Sequence, residues 1–264
     1  MYFGFERITV SYGKHTVLSD VTLEVPRGSI TVLIGRNGCG KSSLLKTVSR
    51  AVKPKAGRVI LEGRSLMAYT PRQLAKRIAY LGQAAPMPSD IDVETLVSYG
   101  RYPHTAPGRG ITAHDRDVID RVLRQTGLEA IRNRTLTTLS GGELQRARIA
   151  MNLAQEPSVL ILDEPTTHLD LGYQLELLEL LRRLNRTLGL TVLMVLHDIN
   201  LAARYADMIY VIHDGGVAAS GAPDDVITDG HMRDVFGIEA QILRDEINGC
   251  PYVRPQTALR EEER

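Results

Sequence analysis

The run Gly35-Arg36-Asn37-Gly38-Cys39-Gly40-Lys41-Ser42-Ser43 directly follows the apolar Thr31-Val32-Leu33-Ile34. A strand, a glycine loop and Lys-Ser entering a helix form the arrangement in which G-x-x-x-x-G-K-[ST] binds phosphate. The glycines let the backbone curl so that successive N–H groups point at one spot, and a helix N-terminus adds the positive end of its dipole. Lys41 can then reach the β- and γ-phosphates, and Ser42 can place its hydroxyl on Mg²⁺. The expected ligand is a nucleoside triphosphate. Cys39, beside a helix N-terminus and Lys41, is expected to be the more reactive of the two cysteines, Cys39 and Cys250.

Further groups fit phosphate chemistry. Leu160-Ile161-Leu162-Asp163-Glu164 reads as a strand delivering two carboxylates at its C-terminal end, where open α/β sheets bind ligands. Asp163 suits Mg²⁺, and Glu164 suits orienting or deprotonating an attacking water. In Leu139-Ser140-Gly141-Gly142-Glu143, Ser140 and Glu143 form a capping box that opens a helix. The same helix start, with Gly141 and Gly142 in it, is also a second anion site. His197 follows an apolar strand and is read as a γ-phosphate contact. Gln83 is either an ordinary amide or a ligand of Mg²⁺ or water that reports nucleotide state. Tyr12 is either a turn aromatic or a ring on which adenine stacks.

These residues need strands and helices to hold them. Residues 3–10, 17–25, 58–62 and 77–81 read as short strands, and 159–162 and 191–196 as buried parallel ones, apolar without alternation. A helix is expected from Lys41 to Arg50, and another from Ser140 to about Gln155. Thr112-Ala113-His114-Asp115 opens a helix carrying Val118, Ile119, Val122 and Leu123 inward, and Leu177, Leu181, Leu184 and Leu188 form the apolar stripe of another. The predicted class is α/β: a P-loop core interrupted by a helical insertion too long for an ordinary connection. The tail from Arg254 is expected to be solvated and frayed.

The chain has 264 residues, 32 Lys and Arg against 31 Asp and Glu, and no apolar stretch of 18 residues. This balance carries no nucleic-acid footprint, and no transmembrane helix or signal peptide is expected. Two cysteines without metal-ligand spacing suit free thiols in a reducing cytoplasm.

In their order along the chain these segments resemble the ATP-binding cassette ATPases. Tyr12 matches the aromatic A-loop, residues 35–43 the Walker A loop, Gln83 the Q-loop and residues 139–143 the signature motif. Residues 160–164 match the Walker B strand, Leu169-Asp170 the D-loop, and His197 the switch histidine. The resemblance implies ATP and Mg²⁺ as cofactors, with Lys41, Glu164 and His197 catalytic and Ser42, Gln83 and Asp163 at the metal. It also implies an ATP-dependent homodimer in which Ser140, Gly141, Gly142 and Glu143 face the nucleotide of the second copy. Glu143 stands where the family often has Gln, and Arg36 where it often has Pro.

The fold implied is a P-loop (RecA-like) core with an antiparallel β subdomain and an inserted α-helical subdomain. The divisions expected are 1–83, the helical subdomain at 84–156, 157–235 and a C-terminal extension at 236–264. Val97-Ser98-Tyr99-Gly100-Arg101-Tyr102-Pro103-His104, Pro165-Thr166-Thr167-His168-Leu169-Asp170 and Asp234-Val235-Phe236-Gly237 look more narrowly like ATPase subunits of iron(III)–siderophore importers, with haem and cobalamin importers close by. That implies a place on the cytoplasmic face of the inner membrane, permease subunits as partners, and an extracytoplasmic substrate-binding protein indirectly. The rival is a soluble cassette ATPase of iron–sulfur cluster assembly.

Overall fold

The computed structural model of the chain describes residues 1–82, 90–105, 108 and 110–259. In chain order the strands are β1 (Phe3–Tyr12), β2 (His15–Val25), β3 (Ile30–Ile34), β4 (Ala56–Leu61), β5 (Arg64–Ser65), β6 (Ile78–Leu81), β7 (Val159–Leu162), β8 (Thr191–Val195), β9 (Met208–His213), β10 (Gly216–Gly221), β11 (Ile238–Asp245) and β12 (Cys250–Ala258). The principal helices are α1 (Lys41–Val48), α2 (Pro71–Ala75), α3 (Val93–Tyr99), α4 (Ala113–Gln125), α5 (Gly141–Leu153), α6 (Leu171–Leu188) and α7 (Ile199–Tyr205). The chain divides into two compact units, residues 1–66 with 193–264, and residues 67–192. The boundary at 192/193 falls within β8.

In the first unit, β2, β1, β4 and β5 form an antiparallel sheet in that order. Here β3 lies parallel to β9, with Thr31 opposite Met208 and Ile34 opposite Val211, and β9 pairs with β10. Every residue of β3 is buried, as a strand covered on both faces requires. β11 and β12 make a separate hairpin, tied to α7 by Asn200, which donates to the Val253 carbonyl at 3.1 Å and accepts from its N–H at 2.7 Å. The tail is therefore not frayed from Arg254: Arg254 pairs with Gln241 and Ala258 with Ile238. Main-chain hydrogen bonding holds this strand although most of its side chains are exposed.

In the second unit, β6 and β7 run parallel with Ile78 opposite Val159 and Leu81 opposite Leu162. The helical segment is organised around one buried cation. Gly100 follows α3 where a Cβ would lie 2.0 Å from the Met151 carbonyl oxygen, so no side chain fits there. Arg101, 1% exposed, then reaches Asp115 Oδ1 at 2.8 Å, Glu156 Oε2 at 2.9 Å and the Ala154 carbonyl at 2.6 Å. Asp115 also closes the predicted capping box with Thr112 at the start of α4. Burial alone would raise its carboxyl. The Thr112 hydroxyl and N–H together with the Arg101 guanidinium outweigh burial and hold it far below the usual range. The apolar stripe of α6 is buried at Leu177, Leu181 and Leu184, but Leu188 is 51% exposed because the helix ends there, at Gly189 in the left-handed conformation.

Candidate active site

In the first unit the glycine loop leaves buried β3 and enters α1 directly. Gly35, Gly38 and Gly40 all have positive φ, at 147°, 81° and 105°. At Gly35 a Cβ would also meet the Ile212 carbonyl oxygen at 2.2 Å, and at Gly40 the Leu18 side chain at 2.5 Å. Glycine is required at these two positions by conformation and space together. The first turn of α1 carries no acidic side chain, and Gly40 offers none as a cap, so the positive end of the helix dipole faces the loop with no negative side chain against it. Lys41 is buried, and its Nζ donates to the carbonyls of Gly35 at 2.8 Å and Arg36 at 2.9 Å, with Cys39 Sγ at 3.5 Å. The ammonium is thereby held over the loop. Beside it lies a cleft of about 410 Å³ lined by residues 36–39, 15–17 and 213–215. That volume is within the usual range of small-molecule sites.

Tyr12 ends β1 half exposed, and its hydroxyl lies 3.2 Å from Ser43 Oγ. The residue read as an adenine platform is thus tied to the phosphate loop, a contact that no sequence spacing shows. The Leu196 N–H donates to the Leu33 carbonyl at 3.3 Å, so the chain leaves β8 alongside the end of β3. His197 is the next residue and is exposed. Its neighbour Asp198 is engaged in capping α7 through the Leu201 N–H at 2.9 Å.

In the second unit, β7 is buried along its whole length and is followed by Asp163, whose N–H donates to the Leu81 carbonyl at 2.9 Å. Asp163 is 3% exposed, and the Tyr80 hydroxyl reaches its Oδ2 at 3.4 Å. Burial, and then the charge of Asp163, push the Tyr80 phenol up, so it stays protonated and donates. Glu164 has φ 55°, a left-handed conformation uncommon for a residue with a side chain. Its Oε2 lies 3.4 Å from Thr167 Oγ1.

Ser140 caps α5 as expected: its hydroxyl accepts the Glu143 N–H at 3.2 Å, and Glu143 accepts the Ser140 N–H at 2.8 Å. That Ser140 N–H is the main cause holding the Glu143 carboxyl low, with the nearby Arg134 adding to it. Glu143 is therefore a carboxylate that completes the cap. Asp170 caps α6 through the Tyr173 N–H at 3.0 Å. Gln83 lies outside the described residues.

Ser42 and Asp163 offer hard oxygen donors of the kind Mg²⁺ prefers, and a carboxylate kept inside the protein is well suited to a divalent cation. Among the described residues no group of three His, Cys, Asp or Glu stands ready to hold a metal by itself. Tyr80 is the residue here that the sequence reading passed over. Its only signal is a hydroxyl set in the apolar run Ile78-Ala79-Tyr80-Leu81.

A profile of the ABC transporter family matches residues 18–167. The ferric enterobactin transport ATP-binding protein FepC of Escherichia coli (strain K12) is 43% identical over 250 residues, covering 95% of this chain and 92% of that protein. The hemin import ATP-binding protein HmuV of Rhodopseudomonas palustris (strain BisB18) is 41% identical, covering 97% of this chain and 95% of its own length. The ATP-binding cassette MJ0796, solved as a dimer in a post-hydrolysis state with ADP and Pi, superposes with a TM-score of 0.71 at 27% identity, covering 83% of this chain and 98% of that one. With a phosphate loop, a buried strand followed by Asp-Glu and these similarities, the chain belongs to the ABC transporter family and is one of its ATP-binding, ATP-hydrolysing cassettes.

Proposed function

We propose that this chain is the ATP-hydrolysing subunit of an importer for an iron(III) chelate, acting through a separate membrane permease. The observation that carries the chemistry is the phosphate cradle of the first unit: three glycines of positive φ, a helix start free of acidic groups, and a buried Lys41 ammonium held over it. The cargo class follows from the relatives, whose names give ferric enterobactin and hemin, each iron in an organic ligand. Among the described residues no helix is long and apolar enough to cross a membrane.

The α1 N-terminus and Lys41 bind the phosphates, and Tyr12 packs on the base. Ser42 and Asp163, with Gln83 added by the family resemblance, would hold Mg²⁺, which would supply positive charge to the phosphate oxygens. Glu164 takes the proton of the attacking water, and His197 contacts the γ-phosphate. The surface made by Ser140, Gly141 and Gly142 serves the nucleotide of a second copy. Gly141 is exposed there, and so is the apolar Leu171 that follows Asp170. On the helical segment Tyr99 and Tyr102, 49% and 82% exposed, are the apolar groups offered to the permease.

The test is to isolate the tagged chain from membranes of its host in mild detergent and to measure hydrolysis in the complex. A polytopic membrane protein should accompany it, and Glu164→Gln should bind ATP while turning over about 10²–10³ times more slowly, the scale of losing one positioned electrostatic contact. Isolation with soluble iron–sulfur assembly proteins instead, or a Glu164→Gln variant with wild-type turnover, would overturn the assignment.

A further inference from the structure

The cap at the start of α5 accounts for Ser140 and Glu143, but not for the two glycines between them, which weaken a helix start. The structure distinguishes the two. At exposed Gly141 a Cβ meets only the Leu169 side chain, at an ordinary 3.7 Å. At buried Gly142 it would lie 2.3, 2.6 and 2.8 Å from Cδ1, Cγ and Cε1 of Tyr173. The Tyr173 ring occupies the place where a side chain at 142 would stand, so position 142 accepts a side chain only if the ring shifts.

Tyr173 belongs to the first turn of α6, and its backbone N–H is the one that Asp170 caps. Two further hydrogen bonds join the same pieces. Gln145 of α5 donates to the Pro165 carbonyl at 2.9 Å, next to Glu164, and Gln174 donates to the Leu169 carbonyl at 2.9 Å. The segment from Glu164 to Asp170 is thus fixed to α5 at one end by Gln145 and to α6 at the other by Asp170 and Gln174. The Tyr173 ring closes the gap between the two helix starts.

We infer that Tyr173 is a positioning residue: its ring locks the N-terminus of α5 to the segment carrying Glu164 and Asp170. The surface offered to a second copy's nucleotide is then held in a fixed direction against the segment that carries Glu164 and Asp170. This rests on the split-site reading proposed above. Without the ring, the first turn of α5 keeps its cap but loses its support at Gly142. The N–H groups meant for the second copy's phosphate lose their fixed direction. The phosphate loop belongs to the other unit and should bind nucleotide as before.

The experiment uses the full chain with Glu164→Gln as parent, adding Tyr173→Ala, Tyr173→Leu or Tyr173→Phe. Self-association with MgATP is followed by sedimentation, and ATP affinity is measured at dilutions where the parent is monomeric. Tyr173→Ala and Tyr173→Leu should weaken association by about ten- to a hundredfold, the scale of misplacing a positioned group by about 1 Å. Monomer affinity for ATP should stay within about twofold, because the phosphate-loop contacts are not altered. Tyr173→Phe should match the parent. The inference is overturned if Ala or Leu associates like the parent, or if monomer binding falls together with association. It is also overturned if Phe is as weak as Ala, which would assign the effect to the hydroxyl. A parent that does not associate with ATP at all overturns the split-site reading itself, and is seen before any Tyr173 variant is compared.

Discussion

At the scale of single residues, the atoms that define the site were chosen by sequence and oriented by contacts that sequence does not show. Lys41, Asp163 and Glu164 stand out by type and spacing, yet nothing in the chain order indicates that the Tyr12 hydroxyl sits 3.2 Å from Ser43 Oγ or that Tyr80 reaches Asp163. Those are tertiary contacts between residues 31 and 83 positions apart, outside any local period. Cys39 gives a prediction at this scale. It lines the cleft beside the loop, with the Lys41 ammonium 3.5 Å from its sulfur, whereas burial pushes the Cys250 thiol up and disfavours its thiolate. Alkylation with iodoacetamide should modify Cys39 faster than Cys250, should block ATP binding, and should itself be slowed by MgATP. Peptide mass spectrometry reads this out; equal labelling of Cys39 with and without nucleotide would contradict it.

At the scale of elements, the buried strands were the most legible part. β7 has the predicted bounds, because four consecutive apolar residues ending in two carboxylates leave little else to be. The boxes at Thr112 and Ser140 were read correctly for the same local reason. β9 to β12 were not anticipated, although β9 (Met208–His213) is as apolar and nearly as buried as β3; β10 and β12 carry weaker signals. β10 is Gly216-Val217-Ala218-Ala219-Ser220-Gly221, with little apolar signal, and β12 carries Pro251 and Pro255; both owe their strand form to a neighbour's main chain. The segment from Gly100 to His104, noticed for its resemblance to importer ATPases, turns out to be largely a packing device around Arg101. Even His104 is engaged, its Nε2 lying 2.9 Å from the Gln155 carbonyl.

Arg101→Ala would leave Asp115 buried with only the capping contacts, and breaking a buried pair costs about 3–5 kcal/mol. The share from Glu156, whose side chain is 35% exposed, is smaller because solvent screens it. The folded-state carboxyl of Asp115 is lowered. The stability it adds is therefore full above the ordinary carboxylate pKa of about 3.9 and is lost as pH falls below that value. Urea unfolding should show this acid loss in the wild type and a shallower one in Arg101→Ala. A cost under about 1 kcal/mol, or identical acid limbs, would count against the network.

At the scale of the whole molecule, the candidate site residues are distributed over both compact units. Tyr12, the phosphate loop and His197 belong to residues 1–66 and 193–264, while Asp163, Glu164, Ser140 and Asp170 belong to residues 67–192. The residues proposed to anchor nucleotide thus lie in one unit, and the proposed carboxylates and the surface proposed for a second copy lie in the other. The most direct measurement of the central claim is uptake of radiolabelled iron by a strain of the host lacking this chain, supplied in turn with iron(III) siderophores and hemin. Uptake of one iron chelate should be lost, should return with the wild-type chain, and should stay absent with Glu164→Gln despite normal protein levels. Normal uptake of every chelate in the deletion strain, or full restoration by Glu164→Gln, would contradict the account.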